Sequence, residues 1–169
     1  MILSEVGEFR SPSIRLRQTP QTGLRQTYTK TTNYYTMNKL ELSIPSKLSN
    51  IPQIENFIEK LMEQYRLSEK VYGSIVLSIL EAVHNAILYG NNQNPQKKVM
   101  LTAIQNTKEV IITVEDEGEG FDFNHITDPT TPDKFMEESG RGLYLMGKLT
   151  DELIFAKNGA KVIMVFTLN

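Results

Sequence analysis

The stretch Val114 to Phe121, VEDEGEGF, decides how the rest of this chain is read. It closes an alternating apolar run, KEVIITVED, and then sets Gly118 and Gly120 among acids before the next bulky side chain. Alternation of this kind reads as a half-buried strand. Glycine allows a sharp bend and a close backbone approach that a Cβ would block. Gly118 and Gly120 are therefore expected to turn the chain after the strand and to let a flat ligand lie close. Asp116, at the strand end, offers a carboxylate able to accept from an exocyclic amine. Standing alone, D-x-G-x-G would read as an acidic turn. Its meaning depends on what surrounds it.

Working back from that strand, KVMLTAIQN is a second alternating run, joined to it by a short Asn-Thr-Lys turn. Further upstream, SEKVYGSIVLSILEAVHNAILYGN reads as one long helix, with Ser68 as its cap and Gly90 as a terminating C′ glycine. Before it, Ser49 or Asn50 is placed to cap a helix through about Tyr65, burying Ile54, Ile58, Leu61 and Met62. The pattern begins with KLELSI, a strand presenting Leu40, Leu42 and Ile44 on one face. Downstream, a short helix is expected from Leu143 to Leu149. A closing hairpin, ELIFAK and KVIMVFTL, turns at Asn158-Gly159. The order β-α-α-β-β-loop-α-β-β predicts an α/β two-layer sandwich, a mixed and mostly antiparallel sheet with helices on one face.

The long helix is apolar almost all round. At about 100° per residue, Ser74, Ser78, Glu81, Asn85, Tyr89 and Asn92 fall within an arc of roughly 80°. A solvated face is usually broader and carries both signs of charge, whereas this stripe holds no Lys or Arg. An enclosed carboxylate and amide one turn apart need partners. A metal and a phosphate chain would supply them, so the stripe is expected to face a ligand. His84 lies off it, as a structural or rim residue.

A second glycine pair, Gly140-Arg141-Gly142, precedes the short helix and leaves free backbone N–H groups at its start, a ready anion site. About twenty polar residues containing Pro129 and Pro132 separate the two pairs, a length typical of lids and binding loops. One motif is a decoy. Gly142 to Leu149 nearly satisfies G-x-x-x-x-G-K-S/T, but Leu149 replaces the hydroxyl that would bind Mg²⁺, and the intervening residues are bulky core types. Neither pair completes the dinucleotide fingerprint G-x-G-x-x-G.

Composition narrows the chemistry. The 169 residues suit one domain with a substantial core. With no cysteine, disulfides, thiol nucleophiles and Cys-type zinc sites are excluded, and His84 and His125 alone make a His-based metal site improbable. A net charge of −2 gives no basic footprint for nucleic acid. No apolar run is read as approaching the ~20 residues of a membrane span. A soluble protein of a reducing compartment is expected. Residues 1–36 differ from the rest: they carry a net +3 against −5 elsewhere and are rich in Ser, Thr and Gln. They are expected to form a disordered extension, ahead of a transit peptide or a nucleic-acid arm. Met37 offers an alternative translation start.

Together these residues resemble the Bergerat-type ATP-binding fold of gyrase, histidine kinases, heat-shock chaperones and mismatch-repair ATPases. Glu81-x-x-x-Asn85 resembles its N box, Asp116-x-Gly118-x-Gly120 its first glycine box, and Gly140-Arg141-Gly142-Leu143 its second. More narrowly, EAVHNAILYGN and GRGLYLMGKLTDEL are similar to the bacterial serine-protein kinases that act as anti-sigma factors. The likeness covers about residues 37–169. It implies Glu81 as general base, Asn85 as a Mg²⁺ ligand, and Asp116 as the acceptor for the adenine amino group. Gly118, Gly120, Gly140, Arg141, Gly142 and Leu143 would complete the ATP site. The implied reaction is phosphoryl transfer from Mg-ATP to a protein serine or threonine. The implied partners are an anti-anti-sigma phospho-acceptor and a sequestered sigma factor, with a cytoplasmic homodimer as the usual form. Two rivals share the fold. One is a non-catalytic nucleotide or protein binder. The other is an ATP-binding module separated from a histidine kinase, against which residues 1–36 show no helical periodicity for a phospho-accepting helix pair.

Overall fold

The computed structural model describes residues 38–121 and 141–168. The expectations for the N-terminal segment, for a start at Met37, for His125, for the lid and for Gly140 fall outside those residues.

The described residues form five strands: β1 (Asn38–Pro45), β2 (Lys98–Gln105), β3 (Glu109–Asp116), β4 (Glu152–Ala156) and β5 (Lys161–Thr167). They form one sheet in the order β1-β2-β3-β5-β4, and all four pairings are antiparallel. The two-layer α/β architecture is as the sequence predicts, while no adjacent strands run parallel. The reason is topological. β3 and β4 point the same way, but β5 lies between them and pairs antiparallel with both.

Among the described residues, three α-helices accompany the sheet: α1 (Ile51–Tyr65), α2 (Glu69–Asn85) and α3 (Arg141–Leu149). α1 buries Ile54, Phe57, Ile58, Leu61 and Tyr65, with Met62 partly covered. Alternate strand residues meet this layer, among them Val99 and Leu101 of β2, Ile112 and Val114 of β3, and Met164 and Phe166 of β5. Each such side chain taken fully from water contributes about 1.5–3 kcal/mol. Tyr65 ties α1 to the sheet, its hydroxyl donating to the Ala103 carbonyl at 2.7 Å.

Caps behave differently from the sequence pattern. Asn50 and Ser68 both occupy N-cap positions, yet neither side chain caps its helix. Asn50 instead donates to the Pro45 carbonyl and accepts from Gln53. At its far end, α2 passes into a π-helical turn, Ala86–Gly90, closed by the Asn91 N–H on the Ala86 carbonyl at 2.8 Å. Gly90 is therefore not a left-handed C′ glycine; left-handed backbone appears later, at Asn92 and Gln93. Wide turns of this type occur disproportionately at functional sites.

The membrane expectation also needs correcting. α2 and its π turn make a continuous helix, Glu69–Gly90, of 22 residues that is long and apolar enough to span a membrane by length and composition. In this fold its Ile75, Ile79, Ala82, Val83, Ala86 and Ile87 belong to the core.

Candidate functional site

The C-terminal half of α2, the start of α3, the end of β3 and the β4–β5 turn surround a cleft of about 430 Å³. Glu81, Asn85, Tyr89, Asp116, Gly120, Arg141, Gly142 and Leu143, all expected from sequence, line it. Gly118 is not in that lining but stacks directly behind Asp116. The polar stripe of α2 divides. Glu81, Asn85 and Tyr89 reach the cleft, whereas Ser78 is fully buried with no hydrogen-bond partner among the described residues, and Asn92 is exposed beyond the helix. The periodicity that grouped them assumes a straight α-helix, and the π turn and the core packing break that assumption. His84 lines the cleft from an exposed position, as a rim residue should.

The glycines show what comes close. A Cβ on Gly118 would lie 2.1 Å from the Gly90 carbonyl oxygen. One on Gly120, whose φ is +84°, would lie 2.0 Å from the Asn158 carbonyl oxygen. The bend is as expected, and at both positions the chain's own backbone comes close. Gly90 has its own reason to lack a side chain, since a Cβ there would stand 2.4 Å from the Asp116 carboxyl carbon. Gly142 faces the opposite end of the cleft, where a Cβ would meet Glu81 Oε2 at 2.4 Å and Asn85 Nδ2 at 3.6 Å. The backbone at the start of α3 thus rests directly over the carboxylate and the amide of α2. Arg141 and Gly142 lie inside the first helical turn rather than before it. First-turn N–H groups have no intrahelical acceptor, so they remain available to an anion.

Asp116 is half-buried and pairs in register with Val99. Its Oδ1 accepts from the Gly118 N–H at 2.8 Å. Burial pushes this carboxyl above its usual range and Glu115 adds to the effect, while the Gly118 N–H and Lys97 oppose it without cancelling it. Because the folded value is raised, the group favours the fold when protonated, and that contribution is lost as pH rises through the folded value. Asp116→Asn is therefore expected to raise the melting temperature of the ligand-free protein at pH 7, and to do so less at pH 4. An equal shift at both pH values would show that the carboxylate carries no such burden.

Two sets of polar contacts hold the loops around this residue. The Asn91 side chain is 1% exposed; its Oδ1 accepts from the Glu117 N–H and its Nδ2 donates to the Lys98 carbonyl, both at 2.9 Å. On the outer side, Glu115 pairs with Lys157 and, at 3.1 Å, with Lys161. Phe121 closes the apolar end: its N–H donates to Asn158 and its ring meets Phe155 edge-on at 5.6 Å. Val114 and Val162 line the wall there.

Sequence reasoning missed Asn91, Phe121, Val162 and the Gly90–Asp116 contact. Gly90 reads locally as a helix stop, Asn91 as the residue after it, and Val162 as one more alternating strand residue. Only register and long-range packing give them a place at the site. The decoy is resolved as expected, because Gly142 to Leu149 is helical with Met146 buried.

Residues 44–166 match the family described as the histidine kinase-like ATPase domain. An anti-sigma F factor of Clostridium perfringens (strain SM101 / Type A) is 30% identical over 137 residues, covering 78% of this chain and 98% of the relative. One from Bacillus cytotoxicus is 34% identical over 84 residues, covering 47% of this chain and 56% of the relative. One from Geobacillus stearothermophilus is 38% identical over 80 residues, covering 45% of this chain and 53% of the relative.

Proposed function

This chain belongs to the histidine kinase-like ATPase domain family, and from that premise we propose an ATP-dependent protein serine/threonine kinase that acts as an anti-sigma regulator. In this reading it phosphorylates an anti-anti-sigma protein and sequesters a sigma factor. The observation that carries it is the meeting of Glu81 and Asn85 with the first turn of α3 in the same cleft as Asp116. The similarity to anti-sigma F factors supports the regulatory half of the reading.

The residues suit Mg-ATP. Among the described residues no group of three or more His, Cys, Asp or Glu side chains could hold a metal by itself. Mg²⁺ commonly takes few protein ligands and relies on phosphate and water oxygens. Asn85 supplies an amide oxygen for it. The N–H groups at the start of α3, with Arg141, would hold the phosphates. Asp116 accepts from the exocyclic amine of adenine, a donor that offsets the burial its charge suffers. Mg-ATP supplies the phosphoryl group and the metal charge that steadies it in transfer. Glu81 would take the proton from the serine or threonine hydroxyl as that oxygen bonds to the γ-phosphorus and the bond from that phosphorus to the bridging oxygen breaks, with ADP as the leaving group.

Asp116→Ala should weaken ATP binding by roughly 1.5–3 kcal/mol, the range for a hydrogen bond to a charged group. GTP presents a carbonyl at the same place and should bind the native protein poorly; equal affinities by calorimetry would overturn the role given to Asp116. The reading as a whole is tested by pull-down from native lysate with and without ATP, followed by phosphosite mapping of what binds. A captured protein that gains phosphoserine or phosphothreonine supports it. ATP-dependent capture with no phosphate incorporated would favour a non-catalytic binder.

A further inference from the structure

We propose that Asn91 and Glu117 form a brace that positions Asp116 and thereby sets the preference for ATP over GTP. The inference rests on the reading of Asp116 as the adenine acceptor. Asn91 does not line the cleft; it lies behind it, directly after Gly90, whose carbonyl oxygen is packed against Gly118. Its amide bridges two segments that flank Asp116. One is the backbone of Glu117, the residue after Asp116, and the other is Lys98 at the start of β2, next to the Val99 that pairs with Asp116. Glu117 closes the ring, its Oε2 accepting from the Lys98 N–H at 2.5 Å. Three hydrogen bonds therefore fix the end of the π turn, the start of β2 and the end of β3 to one another.

The Asp116 carboxylate is held on one side by the Gly118 N–H and faces Gly90 at the distance where a Cβ would not fit. The backbone on both sides of that carboxylate is tied to the brace, through the Glu117 N–H and through the strand pairing of Asp116 with Val99. Hydrogen bonds weaken steeply when distance and angle depart from ideal. Loosening the brace therefore penalises the nucleotide that makes a bond to Asp116 and spares the one that does not. The ATP-to-GTP affinity ratio should narrow. A role confined to stability would lower the melting temperature and leave that ratio as it was.

The experiment measures ATP and GTP affinity by calorimetry on the full chain in five forms: native, Asn91→Ala, Glu117→Ala, Glu117→Gln and Tyr65→Phe. Asn91→Ala is expected to narrow the ratio at least about threefold, and Glu117→Ala to narrow it less. Glu117→Gln keeps an acceptor for the Lys98 N–H and should restore the native ratio. Tyr65→Phe removes a buried hydroxyl from the Ala103 carbonyl, away from the cleft, and should lower the melting temperature with the ratio unchanged. Should Asn91→Ala not fold, the exposed Glu117 pair decides alone. A native ratio kept in Asn91→Ala and Glu117→Ala overturns the brace while leaving Asp116 as the acceptor. A native protein that does not distinguish ATP from GTP overturns both.

Discussion

Glu81→Gln is expected to retain Mg-ATP and partner affinity while losing phosphoryl transfer by ~10²-fold or more, the scale of general-base catalysis. A group acting only as a base contributes to the transition state and little to the bound ground state. The substitution keeps shape and an acceptor oxygen but removes the charge. Its surroundings make the loss readable, since Glu81 Oε2 lies where a Cβ on Gly142 would stand, against the first turn of α3. Asn85→Ala should behave differently, losing the metal and with it both nucleotide affinity and transfer. The measurement is nucleotide affinity alongside phosphate incorporation into the captured partner. Transfer at the native rate by Glu81→Gln would leave a kinase whose base lies elsewhere.

Gly120→Ala is expected to be the most damaging single methyl in the described fold. A left-handed backbone at a residue with a Cβ costs about 1–2 kcal/mol. The φ of +84° places this position on the positive side. The added carbon would also lie 2.0 Å from the Asn158 carbonyl oxygen and 2.7 Å from its carbon. Both are backbone atoms, already engaged through the Phe121 N–H at 2.7 Å, so relief requires moving the β4–β5 turn. Overpacking of this kind adds about 1–3 kcal/mol, for a total of roughly 2–5 kcal/mol. The melting temperature should fall by about 4–20 °C. Gly142→Ala is the contrast, because its Cβ would meet the far end of a flexible side chain, Glu81, which can swing aside. It should melt close to the native protein yet transfer phosphate slowly. A loss of under about 3 °C in Gly120→Ala would show that the turn yields cheaply and that the glycine is not demanded by this contact.

Period-two and helical patterns, read residue by residue, were enough for the element order and the two-layer architecture, while the two glycine motifs and the family resemblance grouped Glu81, Asn85, Asp116 and Gly142, which line one cleft. Those patterns record which side chains leave water, and burial is what the sheet and helices are built around. The same patterns misassigned Ser78 and Asn92 to the site and read Gly90 as a left-handed stop. Ser78 lies in regular helix and is taken into the core, whereas Asn92 follows the π turn over Ala86–Gly90, which departs from the uniform geometry that periodicity assumes. Glycine spacing announced that something comes close to Gly118 and Gly120, but not what. Local sequence carries the absence of a Cβ, whereas the carbonyls of Gly90 and Asn158 that occupy the space arrive from segments distant in the chain. Asn91 is the clearest case. Its identity suggests only a turn, and its place behind Asp116 exists because β2 and β3 pair in one register, bringing the Lys98 carbonyl and the Glu117 N–H to either end of a single amide.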